Sequence, residues 1–172
     1  NTMIRRYISL FLVLCMVLTY VPMTVSAKTV DKGYTGSVQW KFDSNGVLTI
    51  FGEGGMGAFS TDLGTSAAPW RQYSTMITSV VIEKGVTTIA PGAFYGCGNL
   101  TTISIPSTVS FIGEMAFYRC WNLSEITIPE SVTSIEEYTF GYCRNLATVV
   151  IPETVTSIAS NAFEGTAWYD NR

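Results

Sequence analysis

The chain has 172 residues, 47% of them hydrophobic and 13% charged, with a formal net charge of −3. That balance is too apolar for a disordered tail and fits one domain with room for a small extra module. The absence of His excludes Ser-His-Asp and Cys-His catalysis and imidazole metal sites, and the lack of a basic run excludes a nucleic-acid footprint.

Residues 1–27 read as a signal peptide. Arg5 and Arg6 precede an apolar run from Ile8 to Val21, and Val25-Ser26-Ala27 places small residues at the exit. Cleavage is expected before Lys28. A membrane anchor is the competing reading, but Pro22 and the polar end argue against it. Leu14 is too large to precede a lipidated Cys15, and the Arg5-Arg6 pair lacks the flanks of a twin-arginine signal. The mature chain would then carry no membrane segment.

Residues 28–75 form a different unit. Val38, Trp40 and Phe42 alternate with polar residues, Asp43-Ser44-Asn45-Gly46 is a turn signal, and Leu48 and Ile50 alternate again, which predicts a hairpin. The glycine-rich stretch Gly52–Gly57 lacks the Lys-Ser/Thr and the helix start of a phosphate loop. Ser66 to Tyr73 reads as an N-capped short helix with Pro69 in its first turn. The expected role is to cap the repeats that follow, since an exposed terminal repeat needs covering. A carbohydrate-binding module built on Trp40 and Trp70 is the alternative.

From Met76 to Arg172 the sequence repeats every 23 residues, in four copies starting at Met76, Asn99, Asn122 and Asn145. Val80, Ile103, Ile126 and Val149 share a column, as do Ile82, Ile105, Ile128 and Ile151. Val86, Val109, Val132 and Val155 make another, Ile89, Ile112, Ile135 and Ile158 the next, and Phe94, Phe117, Phe140 and Phe163 are identical throughout. A fixed period of this length signifies a solenoid, because one coil cannot bury its own apolar face and stacked coils can. In the second copy Ile103 and Ile105 point one face of a short strand inward, and Pro106 ends it. Val109 and Ile112 form a second inward stretch, and Gly113 to Phe117 is expected to make one helical turn. Stacked copies should form parallel ladders about 4.8 Å apart. The fourth copy departs, with Thr166 in place of Cys and Trp168-Tyr169 in place of Asn-Leu, and further chain is expected after Arg172.

Cys97, Cys120 and Cys143 occupy one column. A buried thiol column accounts for them, since Cys packs as a small apolar residue. A disulfide between adjacent coils is open on Cα distance but would leave one Cys over, and no second Cys lies at metal-ligand spacing.

The unit Asn99-Leu100-Thr101-Thr102-Ile103-Ser104-Ile105-Pro106, continuing through Val109, Ile112-Gly113, Ala116-Phe117 and Cys120, resembles the BspA-like leucine-rich repeats of bacterial surface proteins. The likeness covers Met76 to Tyr169. It departs from the commoner leucine-rich repeat, where an Asn follows the strand and here Pro and Ser/Thr stand. The resemblance implies a β-rich α/β fold, a right-handed solenoid with a parallel sheet on one face, secretion or surface display, and adhesive binding to other proteins.

Chemistry is sparse. Glu136 and Glu137 are neighbours on one outer turn, without the cleft-spanning separation a glycosidase needs. No Ser, Thr or Cys has a candidate base beside it, and no cofactor or metal site is indicated. Surfaces remain. The outward strand positions Thr102, Ser104, Glu125 and Thr127 make a weakly charged face suited to an extended ligand, although strand propensity alone accounts for Thr there. The turn near the Cys column carries Tyr95, Tyr118, Arg119, Trp121, Tyr142 and Arg144, residue types enriched in binding hot spots, unless their rings pack on the neighbouring coil. The expectation is a non-catalytic, extracellular or cell-surface protein that binds a protein, matrix or glycan ligand. A structural spacer that displays a domain absent from this chain is the alternative.

Overall fold

The computed structural model describes residues 26–59 and 67–171. The expected signal sequence up to Val25, and Ser66 as a helix cap, lie outside the described residues.

The fold begins with three antiparallel strands, β1 (Thr29–Thr35), β2 (Val38–Asp43) and β3 (Val47–Phe51). The hairpin of β2 and β3 pairs Trp40 with Ile50 and Phe42 with Leu48, and all four side chains are buried. Asp43 makes the turn. Its Oδ1 accepts from the Asn45 and Val47 amides at 2.9 and 3.0 Å, while Gly46 takes the left-handed φ of 80° the reversal requires. β1 was not anticipated. Its sequence has no apolar alternation, and its position comes from pairing along β2.

After β3 the pairing changes sense. β4 (Gly54–Gly55), β5 (Ser79–Ile82), β6 (Val86–Ile89), β7 (Thr102–Ser104), β8 (Phe111–Ile112), β9 (Glu125–Thr127), β10 (Ser134–Ile135), β11 (Thr148–Val150) and β12 (Ser157–Ile158) pair only in parallel. β3 lies beside β5, with Leu48 opposite Val80 and Ile50 opposite Ile82, so the hairpin and the repeats share one sheet. The glycine-rich stretch supplies β4, which pairs with β6. Each repeat thus contributes two strands to two separate stacks. β5 pairs β7 and β9 pairs β11 in one; β6 pairs β8 and β10 pairs β12 in the other, each partner standing one period further along the chain.

The core is built from the columns read from the period, but not from every member: Ile158 is 46% exposed, and Ile103, Ile105, Val149, Ile151 and Val155 are only partly buried. Phe94, Phe117, Phe140 and Phe163 stack with centroids 5.3, 5.3 and 5.2 Å apart. Trp70 stacks on Phe94 at 6.0 Å and Trp168 meets Phe163 at 4.6 Å, extending the ring column at both ends. Trp40 and Trp70 are buried, and Trp70 donates Nε1 to the Ala93 carbonyl at 2.8 Å. This removes the pair as an exposed carbohydrate platform. The stretch after Pro69 forms only a 3-10 turn, Arg71–Tyr73, and the chain ends in a short helix, α1 (Ala167–Asp170), N-capped by Thr166.

Candidate functional site

The parallel stacks are interrupted at one place. β7 and β9 share no ladder, and neither do β8 and β10, so the second and third repeats belong to different sheets. The two repeats remain joined along their turns. The amides of Met115, Phe117 and Arg119 donate to the carbonyls of Glu137, Thr139 and Gly141 at 3.0, 2.9 and 2.9 Å. Ser131 also reaches the Val109 carbonyl through its hydroxyl. Beside the seam Ile126 and Ile128 are buried while Ile103 and Ile105 are only partly so, as are Val149 and Ile151 in the last copy.

A groove of about 610 Å³ follows this seam across β7, β9 and β11. Ser104, Glu125 and Thr127, three of the expected face residues, line it together with Ile103 and Ile105. Thr102 stands outside the lining and donates its hydroxyl to Ser79 Oγ at 3.0 Å. Glu125 and Glu130 give the groove an acidic character.

The turn edge divides. Tyr95 is buried and stacks on Tyr118 at 5.1 Å. Tyr118 meets Tyr138 and Tyr142 edge-on at 5.9 and 5.4 Å, and the Arg119 guanidinium lies 5.3 Å from its ring centre. Tyr142 donates its hydroxyl to Glu164 at 2.7 Å, a bond that raises its pKa. These tyrosines pack along the solenoid. Trp121 lies over Gly98 of the preceding repeat yet is 48% exposed, and Arg119 and Arg144, the latter one period after Trp121, are exposed as well.

The expected helical turn at Gly113–Phe117 is instead a run of turns, and its backbone explains why. Met115, Arg119, Tyr138 and Tyr142 all have positive φ, between 51° and 60°. Gly96 and Gly165 hold the same column as Arg119 and Tyr142, and Gly92 that of Met115 and Tyr138, all left-handed. Left-handed residues cannot continue a right-handed helix. Glycine in two of four copies was the signal at the Arg119 column, and Gly92 alone marks that of Met115 and Tyr138, which sequence reasoning passed over.

The thiols are core. Cys97, Cys120 and Cys143 are free and buried. Cys120 and Cys143 donate Sγ to the Phe94 and Phe117 carbonyls of the preceding repeat at 3.2 and 3.0 Å. Burial pushes the Cys97 thiol up to about 12 and raises Cys120 well above its ordinary value. Of the adjacent acids, Glu136 accepts a hydrogen bond from Ser134 Oγ at 2.6 Å and Glu137 is exposed. Among the described residues no cluster of acids and thiols could hold a metal ion.

Residues 72–170 match the family described as the BspA type leucine rich repeat region, in six copies. Among solved structures the chain is similar to a leucine-rich repeat protein from Eubacterium ventriosum, at 24% identity and a TM-score of 0.59, covering 79% of this chain and 43% of that one. It is similar to the T. pallidum leucine rich repeat protein at 26% identity and a TM-score of 0.53, covering 77% and 67% of the two chains. A third, from Bacteroides ovatus, is 33% identical over 53% of this chain and 23% of its own, with a TM-score of 0.50. The chain therefore spans less than half the length of the E. ventriosum protein. No curated protein matches it.

Proposed function

The chain belongs to the BspA-type leucine-rich repeat family, and from that premise we propose that it is a non-catalytic extracellular binding protein that takes a polypeptide ligand on its strand face. Residues 1–27 direct export and are removed before Lys28. Residues 28–75 cap the first coil, and residues 76–172 wind as a right-handed solenoid of 23-residue coils displayed in solution or at the bacterial surface.

One observation carries the reading: the groove follows the place where β7 and β9 leave their facing edges without a ladder. Unladdered strand edges offer backbone donors and acceptors that an extended peptide can use, while side pockets select its residues. Ile103 and Ile105 supply partly exposed apolar surface there, and Glu125 and Glu130 favour a basic peptide.

The test is peptide selection by phage display against the purified protein, followed by titration of the selected peptides against Thr127→Trp. Thr127 is exposed on β9, so the substitution fills the groove without entering the core. Enriched basic peptides whose affinity falls about tenfold or more in the variant are expected. Enrichment indifferent to Thr127→Trp would sink the proposal, and no enrichment at all would favour the spacer.

A further inference from the structure

We propose that the turn edge of the second and third repeats is a separate site for carboxylate-bearing saccharides, with Trp121 as the stacking platform and Arg119 and Arg144 as the carboxylate-binding groups. None of these residues lines the strand-face groove, so the site stands apart from the reading above.

The first ground is Trp121 itself. Trp40 and Trp70 are buried, yet Trp121 is 48% exposed. Its benzo ring seats on Gly98, where an added Cβ would lie 2.8 Å from Cε3. The column holds Gly98, Trp121, Arg144 and Ala167, so the core does not require an aromatic there. An indole held in place and left in water is suited to the apolar face of a sugar ring.

Charge placement is the second. Between Met76 and Asn171 the basic residues are Lys84, Arg119 and Arg144, in a segment with a clear excess of acids. Two of them flank Trp121. Arg144 follows it by one period, and the Asn145 amide donates to the Trp121 carbonyl at 3.2 Å. Both residues are exposed, Arg119 with its guanidinium against the Tyr118 ring, and a guanidinium binds a carboxylate through two parallel hydrogen bonds.

The third is the conformation of Arg119. Its φ is 60°, a region that disfavours L side chains; Gly96 meets the same need in the preceding copy, while Tyr142 takes it at 57° in the following one. The fold accepts glycine at this position in two copies, yet an exposed arginine stands here, two residues before Trp121 in the chain. Backbone strain of this kind clusters at binding sites, and Arg119 shares it with Tyr142 of the next repeat.

Asn99, Asn122 and Asn145 form an exposed row beside this column. Asn122 and Asn145 donate to the preceding amide oxygen at 3.5 and 3.4 Å, which fixes their orientation. Such a row offers hydroxyl partners. An acidic peptide would satisfy the guanidiniums but leave the indole without a flat partner.

The experiment is calorimetric titration of oligogalacturonate, its methyl-esterified form and poly-aspartate against the full chain and three variants. Trp121→Ala changes an exposed side chain, Arg119→Gly relieves its backbone, and Thr127→Trp blocks only the strand-face groove. Oligogalacturonate is expected to bind, to weaken about tenfold or more in the first two variants, and to be unaffected in the third. The ester is expected to bind about tenfold more weakly, having lost its charge-assisted hydrogen bonds. Absence of oligogalacturonate binding, equal affinity for the ester, preference for poly-aspartate, or indifference to Trp121→Ala and Arg119→Gly would each overturn the proposal. Failure of the strand-face reading would appear only as loss of the selected peptides.

Discussion

The Trp70 indole stacks on the Phe94 ring, centroids 6.0 Å apart and planes 23° from parallel. A residue that precedes the repeats thereby continues the column their phenylalanines make. The same indole anchors through Nε1 to the Ala93 carbonyl at 2.8 Å, so apolar packing and a satisfied donor act at one junction.

Phe117 sits mid-column, fully buried between Phe94 and Phe140. Phe117→Ala should cost about 3–5 kcal/mol, because the void opens against both neighbouring repeats. Urea denaturation reads this directly. A loss below about 1 kcal/mol would show that the column collapses to fill the gap.

The thiols predict a pH dependence. The Cys97 thiol is pushed up to about 12 by burial, with Arg71 acting weakly against it, from an ordinary value of 9.0. Between those values the folded chain holds a proton that the unfolded chain releases. Stability from this group is therefore complete below about pH 9 and falls as pH rises toward 12. The loss in urea midpoint from about pH 7 to about pH 10 should be smaller in Cys97→Ala. Iodoacetamide should label Cys97, Cys120 and Cys143 only after unfolding, since buried thiols resist ionisation.

Gly96 and Gly113 separate two reasons for glycine. At Gly96 an added Cβ meets nothing within 4 Å, but φ is 72°. Gly96→Ala should therefore cost about 1 kcal/mol from the backbone alone. At Gly113 φ is ordinary, but a Cβ would collide with the Pro91 backbone of the preceding repeat. Gly113→Ala should cost more, about 2–3 kcal/mol, as the two repeats move apart. Thermal melts of the two variants test that order.

Asp43 closes the β2–β3 turn by accepting two amides. Asp43→Ala should destabilise the protein by about 1.5–3 kcal/mol, the scale of hydrogen bonds to a charged acceptor. Asp43→Asn keeps an acceptor oxygen and should recover most of it. Equal losses in the two variants would assign the effect to charge.

The repeat period, the core columns and the β2–β3 hairpin were legible because each is written locally or recurs. Phe94 to Phe163 identify one another through identity at a fixed step. β1 was not legible, since Thr29 to Thr35 carries no apolar alternation and takes its place from β2. Gly113 to Phe117 misled because an Ala-Phe pair suits a helix, while the left-handed Met115 forbids one. Of the candidate surface residues, sequence alone could not separate Tyr95, buried by its stack on Tyr118, from Trp121, exposed over Gly98. Ile103 and Ile105 carry no local mark of the seam, which depends on how two whole repeats meet.

That seam has a mechanical consequence. In a stack where each unit touches only its neighbours, cooperativity passes through the interfaces one at a time. Between the second and third repeats the strand edges transmit no ladder, and the load falls on the turn amides, on side-chain bonds such as Ser131 to Val109 and Cys143 to Phe117, and on the Phe117–Phe140 pair. Tension along the stack axis would concentrate there. The molecule would part first at this joint, into two segments each still bound by its own ladders, and a single-molecule pulling trace would record a low-force step before the main rupture.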